Sequence, residues 1–341
     1  MRALMHARCG IISCEAGAVV NGVLIRRIFP ALSWLALCGL LLATVLAQFG
    51  SFSWLAELAT HFRIQYVGVA LLLVAGFAGL RRLPPALLAA GLAMFNAWCA
   101  APYLFPGQRP TGMTAGGPPQ LVALNLYYRN QAYGTVRDYL RGRDPDVLVL
   151  SELTPAWAHE LDTVIASYPF QVSRDRYGPW GLGIFSRYPL RDARALNLGV
   201  PGTVNVRAIL GLPGRELELV AVHLSSPTSA VHAAQRNQQL AELAQVLGPS
   251  RAAPALPRLL VGDMNLTPFS PYFRTLLART GLRDARQRAG FLGTWPTWLP
   301  LLQIPIDHCL ADPALEVVGV DRGPAVGSDH YPLEVTLRRE R

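Results

Sequence analysis

The hydrophobic pattern divides the chain into two parts with different periodicities. Residues 29–105 contain three long apolar stretches, Phe29–Phe49, Ile64–Leu80 and Pro84–Phe105. Each is close to the roughly 20 residues that cross a bilayer core. From residue 120 onward, short apolar runs alternate with amphipathic segments, a pattern typical of strands and helices in a layered α/β domain. The chain therefore predicts three transmembrane helices followed by a globular domain.

The limits of these parts follow from the local composition. Residues 1–28 show no clear periodicity and are interpreted as an N-terminal tail. Residues 106–119 are rich in proline and glycine, which indicates a linker and a domain boundary. Residues 120–341 then form the globular domain. A signal peptide is the alternative interpretation of Phe29–Phe49, but two further apolar stretches follow it and favour a membrane span.

Arginines near the apolar stretches predict their orientation. Arg26 and Arg27 precede the first stretch, and Arg81 and Arg82 separate the second from the third. Positive residues favour the cytoplasmic side of a membrane. The N-terminus is therefore predicted inside, and three crossings place the globular domain outside. In a bacterium with two membranes, this makes the chain an integral inner-membrane protein with a periplasmic domain.

Charge and cysteine content narrow the functions open to the globular part. The chain is 51% hydrophobic with a formal net charge of +9. Residues 1–117 hold 8 arginines against 2 acidic residues, whereas residues 118–341 hold 23 against 20. Gripping duplex DNA requires a concentrated basic surface, so this near balance is weak support for nucleic-acid binding. Only Cys309 lies beyond residue 117, which excludes a disulfide within the globular part.

The hydrophobic pattern of the globular part indicates short strands interleaved with helices. This order predicts two sheets packed together with helices outside. The predicted strands are Leu121–Leu126, Val147–Leu150, Gly181–Phe185, Val204–Leu210, Leu217–His223, Leu259–Gly262, Ile306–Leu310 and Tyr331–Leu337. The predicted helices are Ala132–Arg141, Trp157–Ser167, Val231–Leu247 and Tyr272–Ala278.

The stretch LLVGDMNLT, residues 259–267, carries the clearest chemical signal. Gly262 allows the backbone to turn sharply where the apolar run ends. Asp263 and Asn265 are two residues apart, so on an extended segment both side chains point the same way. A carboxylate can deprotonate a water, and an amide can donate to a charged oxygen. Taken alone, the stretch is better explained as a turn, since Asp and Asn are turn residues.

Similar polar residues recur where other apolar runs end. Singly, each has an ordinary explanation as a cap, a turn or a hydrogen-bonded structural residue. Their repeated position at strand ends favours one shared site. The candidate residues are Asn125, Glu152, His223, Asp263, Asn265, Asp307, Asp329 and His330.

These residues lie in motifs that resemble the endonuclease/exonuclease/phosphatase (DNase I-like) superfamily. The resemblance covers roughly Leu121–Leu337, and the N-terminal spans are similar to those of bacterial membrane-bound, YafD-like members. It implies a four-layer α/β sandwich with two sheets face to face and helices outside. The motifs are LNL with Asn125, LSEL with Glu152, GIFSRYP at Gly183–Pro189, NVRA with Arg207, VAVHL with His223, GDMN with Asp263 and Asn265, IDH with Asp307, and GSDHYP with Asp329 and His330.

The resemblance also implies a role for each residue. Glu152, Asn125 and Asp329 would hold Mg²⁺, with Mn²⁺ as an alternative, because hard cations prefer oxygen ligands. The other residues act on water and on the phosphate: Asp263 would orient or deprotonate the attacking water, Asn265 and His223 would hydrogen-bond the phosphoryl oxygens, Asp307 would polarise His330 at the phosphorus, and Arg207 is a weaker possible phosphate contact.

The implied function is a membrane-anchored, Mg²⁺-dependent phosphoesterase that hydrolyses phosphodiester bonds. Nucleic acid and lipid or glycan phosphodiesters both remain open as substrates. The lipid bilayer is the partner of the three N-terminal helices, and no obligate protein partner is evident. The alternative is a catalytically silent domain that binds phosphorylated ligands or a protein at the membrane. That alternative predicts loss of a site residue, and all the main ones are present.

Overall fold

A computed structural model describes residues 28–105, 119–248 and 256–338. Nearly all of the predicted tail and linker lie outside these residues. The chain divides into two compact units. Among the described residues, one unit comprises residues 28–46 and Ile64–Trp98, and the other comprises Ala47–Arg63 and the described residues from Cys99 onward. The larger unit therefore includes the segment between the first two apolar stretches, which the sequence pattern treats only as a connection.

Within the described residues, four helices precede the globular part: α1 Ile28–Phe49, α2 Trp54–Thr60, α3 Arg63–Gly79 and α4 Leu83–Leu104. Helices α1 and α4 are each 22 residues long and apolar enough to cross a membrane. Helix α3 has 17 residues and qualifies only together with α2, from which it is bent by 65°. Two helices therefore have the length and composition of membrane spans, and the predicted count of three is not confirmed, since a third candidate requires α2 and α3 to be taken as one bent span.

The first sheet, sheet A, has the strand order β11-β12-β1-β2-β4-β3. The central strands β1 and β2 run parallel, and their neighbours pair antiparallel. Its strands are β1 Gln120–Asn125, β2 Val147–Ser151, β3 Phe170–Arg174, β4 Leu182–Ser186, β11 Val317–Arg322 and β12 Leu333–Leu337.

The second sheet, sheet B, repeats this plan with the order β5-β6-β7-β8-β10-β9. Here β7 and β8 form the parallel pair, and β10 lies antiparallel beside β8. Its strands are β5 Leu190–Ala195, β6 Val206–Leu212, β7 Arg215–His223, β8 Arg258–Asp263, β9 Arg283–Asp284 and β10 Asp307–Ala311.

Alternating side chains of the central strands build three apolar layers. Ala123 and Ala221 face the space between the sheets, where the largest core lies. Their neighbours Leu124 and Val222 point to the opposite faces, as the two-residue period of a strand requires. Helices cover both outer faces, so the predicted α/β sandwich is confirmed. Sheet A carries α5 Tyr133–Arg143, α6 Pro155–Glu160 and α7 Asp162–Ile165, and sheet B carries α8 Ala230–Val246 and α9 Pro271–Thr280.

Two features differ from the sequence prediction. The helix predicted over Trp157–Ser167 is wrong as one element, because the chain breaks at Leu161 into α6 and α7. The strands β3, β5, β9 and β11 were not predicted. All four lie at sheet edges. An edge strand exposes polar side chains, as the mostly exposed Leu190–Ala195 does, so it lacks the continuous apolar run of a central strand.

Candidate active site

Strand register in sheet B aligns three candidate residues. Asp263 at the end of β8 lies opposite His223 at the end of β7 and opposite Asp307 at the start of β10. The parallel strands β7 and β8 end at the same edge of the sheet, and the antiparallel strand β10 begins at that edge. Each residue is at most 5% exposed. The register alone therefore brings a histidine and two carboxylates together.

Sheet A supplies the facing half of the site by the same arrangement. Asn125 ends β1, Glu152 directly follows β2, and the turn before β12 carries Asp329 and His330. Ser328 donates its hydroxyl to the carbonyl of Asn125 at 2.7 Å and accepts from the His330 amide at 3.0 Å. These contacts hold the turn against the end of β1.

The Asn125 side chain joins the two sheets. Its Nδ2 lies 3.1 Å from Glu152 Oε1 and 3.1 Å from Asp263 Oδ2, so it donates to both carboxylates. Its Oδ1 accepts from the Tyr127 amide at 2.9 Å, which is consistent with this amide orientation. In this arrangement Asn125 acts as a donor, and its predicted role as a metal ligand requires the amide to turn over.

His330 and Asp307 form a buried dyad. His330 Nδ1 lies 2.9 Å from Asp307 Oδ2, and His330 Nε2 lies 3.7 Å from Asp263 Oδ2. Burial disfavours the imidazolium, but the Asp307 and Asp263 carboxylates outweigh it and raise the pKa of His330 to about 10. Burial also opposes ionisation of Asp307, but His330 holds the pKa of that carboxyl below its usual range. His330 is therefore a cation at neutral pH.

Asp263 has the properties of a base near neutral pH. Burial raises the pKa of Asp263 to about 6, although the nearby His330 opposes the shift. His223 Nε2 is 3.6 Å from Asp263 Oδ2 and 3.8 Å from Glu152 Oε1. The Nδ1 atom of His223 is buried and has no hydrogen-bond partner among the described residues. A carboxylate with this pKa can accept a proton from water close to physiological pH.

The turns at the strand ends use unusual backbone conformations. Gly262 has φ +130°, and a Cβ atom there would lie 2.0 Å from the carbonyl oxygen of Val222. Glu152 and Asn265 adopt left-handed φ values of 56° and 52°. The extended geometry predicted for Asn265 is thus wrong. Its amide instead donates to Asp263 Oδ1 at 2.8 Å, and its Nδ2 donates to the Leu224 carbonyl at 2.9 Å.

The oxygen atoms at the site suit a hard divalent cation. Asp329 Oδ1 is buried without a hydrogen-bond partner among the described residues, while Oδ2 accepts from Trp295 Nε1 at 3.1 Å. Burial raises the pKa of Asp329, although the nearby His330 and donation from Trp295 oppose the shift. A bound cation would satisfy this orphaned oxygen and favour the ionised carboxylate. Glu152 offers a second carboxylate in the same cavity.

A second group could also hold a metal by proximity alone. Ligand atoms of Asp263, Asp307 and His330 lie within 4.8 Å of one another. A metal-binding imidazole must be neutral, so an ion at this group would have to displace the proton that the Asp307 and Asp263 carboxylates favour on His330 by raising its pKa. This group is therefore better explained as the dyad and its neighbouring base.

Six of the candidate residues line one cavity of about 700 Å³, and Asn125 and Asp307 are not among its lining residues. The six are Glu152, His223, Asp263, Asn265, Asp329 and His330. Sequence reasoning missed most of its walls, because aromatic and apolar residues carry no signal that separates a cavity wall from the core. Trp295 both lines the cavity and donates to Asp329. The missed lining residues include Leu58, Phe62, Tyr127, Tyr128, Trp180, Ile304 and Ile306.

The structure does not bring Arg207 into this site. Arg207 lies within β6 and forms an ion pair with Glu218 on the neighbouring β7. It is not among the residues that line the cavity. Its predicted phosphate contact is therefore not supported by its position.

Comparisons with known proteins agree with this geometry. The profile of the Endonuclease/Exonuclease/phosphatase family matches residues 122–330. The structure of D. rerio TDP2 complexed with single strand DNA product is similar at TM-score 0.54 and 19% identity, covering 65% of this chain and 99% of that chain. The human Nocturnin catalytic domain with bound sulfate is similar at TM-score 0.54 and 17% identity, covering 68% and 97%. At these identities the two structures support the fold. No curated protein sequence matches the chain.

Proposed function

Since this chain belongs to the endonuclease/exonuclease/phosphatase family, we propose that it is a membrane-anchored hydrolase that cleaves phosphodiester bonds with a divalent metal ion. Members of the family are phosphoester-cleaving hydrolases and are mostly metal-dependent. The observation that carries the proposal is the convergence of Asp263, His223 and the His330–Asp307 dyad with Glu152 in one buried cluster.

Each side chain has a role that follows from its surroundings. Asp263 orients the attacking water and takes its proton, since its pKa of about 6 lies near neutral pH. Protonated His330 donates to a phosphoryl oxygen, and Asp307 keeps it charged and correctly oriented. His223 adds a second imidazole at the same edge. Asn265 is held through its side chain by Leu224, so its predicted donation to phosphate requires that contact to be exchanged.

We propose Glu152 and Asp329 as the metal ligands from this chain, and Mg²⁺ as the ion. Two carboxylates and the remaining water or substrate oxygens suit Mg²⁺, which binds through few protein ligands and keeps several waters. The ion would supply positive charge beside the phosphate. Asn125 joins the ligand set only if its amide turns over, and otherwise it fixes the Glu152 and Asp263 carboxylates by donating to both.

The test of this function compares Asp263→Asn with the wild-type full chain in detergent micelles. With Mg²⁺ and a p-nitrophenyl phosphodiester, we expect wild-type turnover that excess EDTA stops and added Mg²⁺ restores. The Asp263→Asn variant keeps a side chain of the same size but cannot accept a proton, so turnover should fall by about 10²–10⁴-fold. Its melting temperature should stay near that of the wild type. Equal activity in the variant would refute the role of Asp263.

The number of crossings that one compact unit allows supports the proposed membrane topology. Ala47–Arg63 and the described residues from Cys99 onward belong to one compact unit, so we expect both to lie on one side of the membrane. The chain between them must therefore cross an even number of times. If α4 spans the bilayer, α3 must span it too, and its 17 residues are at the short end of the range that can do so. This supports three spans, with the arginines at 81 and 82 on the cytoplasmic side.

A reporter fusion tests that orientation. A reporter that is active only outside the cytoplasm, fused after Arg341, should give signal, and the same reporter inserted between Arg81 and Arg82 should give none. The reverse result would contradict the inner-membrane, periplasmic arrangement.

A further inference from the structure

One wall of the catalytic cavity comes from outside the region that the family profile matches. Leu58 in α2, and His61 and Phe62 directly after it, line the same cavity as Asp263. The family profile begins at residue 122. The segment between the first and second apolar helices therefore contributes part of the active-site cavity.

This wall is fixed to the domain by buried polar contacts. Glu57 forms an ion pair with Arg236 of α8, and both side chains are fully buried. Ser270 donates its hydroxyl to the same carboxylate at 2.8 Å. His61 Nδ1 lies 3.0 Å from the Thr267 hydroxyl. The wall is thus held by side chains that precede and follow the catalytic strand β8 in the chain.

The chemistry of the cavity suits a phosphate next to an apolar group. Leu58 and Phe62 offer partly exposed apolar surface, and Trp180 adds an aromatic ring from another part of the domain. His61 Nε2 is buried, has no hydrogen-bond partner among the described residues and lies 4.0 Å from Glu57 Oε1. None of the described lining residues is an arginine, and the chain has no lysine. Nucleic-acid affinity depends on such cations.

The outer side of the same segment also exposes apolar residues. Phe52 is 83% exposed and Leu55 is 61% exposed. This short segment follows the end of α1 at Phe49 and precedes α3 at Arg63, both apolar helices. Its connection at both ends to apolar helices argues that the bilayer surface covers this exposed side.

We propose that the substrate is a membrane lipid phosphodiester, whose apolar part lies against Leu58 and Phe62 while its phosphate reaches Asp263 and His330. This inference rests on the proposed function, of which it names the substrate class. The α2 segment then serves as a specificity wall between the bilayer surface and the catalytic residues.

The test uses the full chain in detergent micelles and two diesters with the same leaving group, methyl p-nitrophenyl phosphate and dodecyl p-nitrophenyl phosphate. Because both diesters release the same leaving group, the ratio of their kcat/KM values reports recognition of the alkyl chain and not the rate of bond cleavage. The double variant Leu58→Ser and Phe62→Ser should lower kcat/KM for the dodecyl diester about 10–100-fold and change the methyl diester less than about threefold. Leu301→Ser, at a leucine that is 84% exposed and outside the cavity, is the matched control and should leave both unchanged.

The outcomes separate this inference from the proposed function. Equal losses on both diesters, or no loss on the dodecyl diester, would overturn the specificity wall. Faster cleavage of a single-stranded oligonucleotide than of the dodecyl diester would overturn it in favour of nucleic acid. If the wild type cleaves none of these, the proposed function fails. The specificity wall is then tested by measuring binding of a non-hydrolysable dodecyl phosphonate. Binding weakened about tenfold or more by the double variant supports the wall, and unchanged binding overturns it.

Discussion

Loss of the ion pair between Glu57 and Arg236 should destabilise the larger unit more than loss of most other single contacts. Both side chains are 0% exposed. Arg236 also donates to the carbonyl of Asn265 at 3.1 Å and to Asn237 Oδ1 at 2.8 Å. Replacing Glu57 with alanine leaves a buried guanidinium that keeps these neutral partners but no counter-charge. The pair thus connects α2 to the backbone of a candidate catalytic residue.

The expected magnitude follows from that burial. Breaking a buried ion pair by removing one partner costs about 3–5 kcal/mol, because the remaining charge is uncompensated. A domain of 150–250 residues loses about 2–4 °C of melting temperature per kcal/mol. Glu57→Ala should therefore lower the melting temperature of the full chain by about 6–20 °C, measured by tryptophan fluorescence in detergent micelles.

Two further variants make the measurement decisive. Glu57→Met combined with Arg236→Met removes both charges and should recover most of the loss, since apolar replacement of a buried pair is often nearly neutral. Glu216→Ala breaks the pair between Arg191 and Glu216, whose side chains are 57% and 41% exposed, and should cost at most about 1 kcal/mol. A Glu57→Ala melting temperature no lower than that of Glu216→Ala would refute the reasoning.

Further predictions concern the dyad, the strand turn and the N-terminal segment. Asp307→Asn removes the carboxylate that favours the His330 imidazolium, so the pKa of His330 falls and the high-pH limb of kcat/KM should move about 1–3 units to lower pH. An unmoved limb would contradict protonated His330 as the donor. Gly262→Ala should lower the melting temperature, because its Cβ would lie 2.0 Å from a carbonyl oxygen and φ +130° is strained for alanine. The expected loss of folding free energy is about 1–3 kcal/mol or more. An unchanged melting curve would exclude that clash. A chain starting at Pro118 lacks Glu57, so it should unfold at a lower temperature than the full chain. Equal melting temperatures would show that α2 is not needed.

The central strands could be predicted because burial on both faces demands a continuous apolar run. Val147–Ser151 and Arg258–Asp263 are such strands, and their predicted positions are confirmed to within one or two residues. The edge strands could not, since strands such as Leu190–Ala195 pair on one side only and keep exposed polar side chains. The break at Leu161 was also missed, because the apolar pattern continues across it.

The positions of the site residues could be predicted from the ends of the apolar runs, whereas their side-chain contacts could not. Polar residues that directly follow buried strands mark the edge where parallel strands end together, and the register of Asp263 with His223 and Asp307 brings them into contact. Their side-chain partners could not be inferred. The donation from Asn125 to both Glu152 and Asp263, and the pairing of Arg207 with Glu218, depend on which faces meet after folding.

The sequence by itself therefore determined the class of fold, the apolar N-terminal helices and the residues that meet at the strand ends. These features follow from local periodicity and from the ends of apolar runs. Only the tertiary structure decided that α2 belongs to the catalytic unit. Glu57 and Arg236 are 179 positions apart. A buried ion pair over that separation leaves no local pattern, since each residue reads as an ordinary polar position of its own helix until the two surfaces meet.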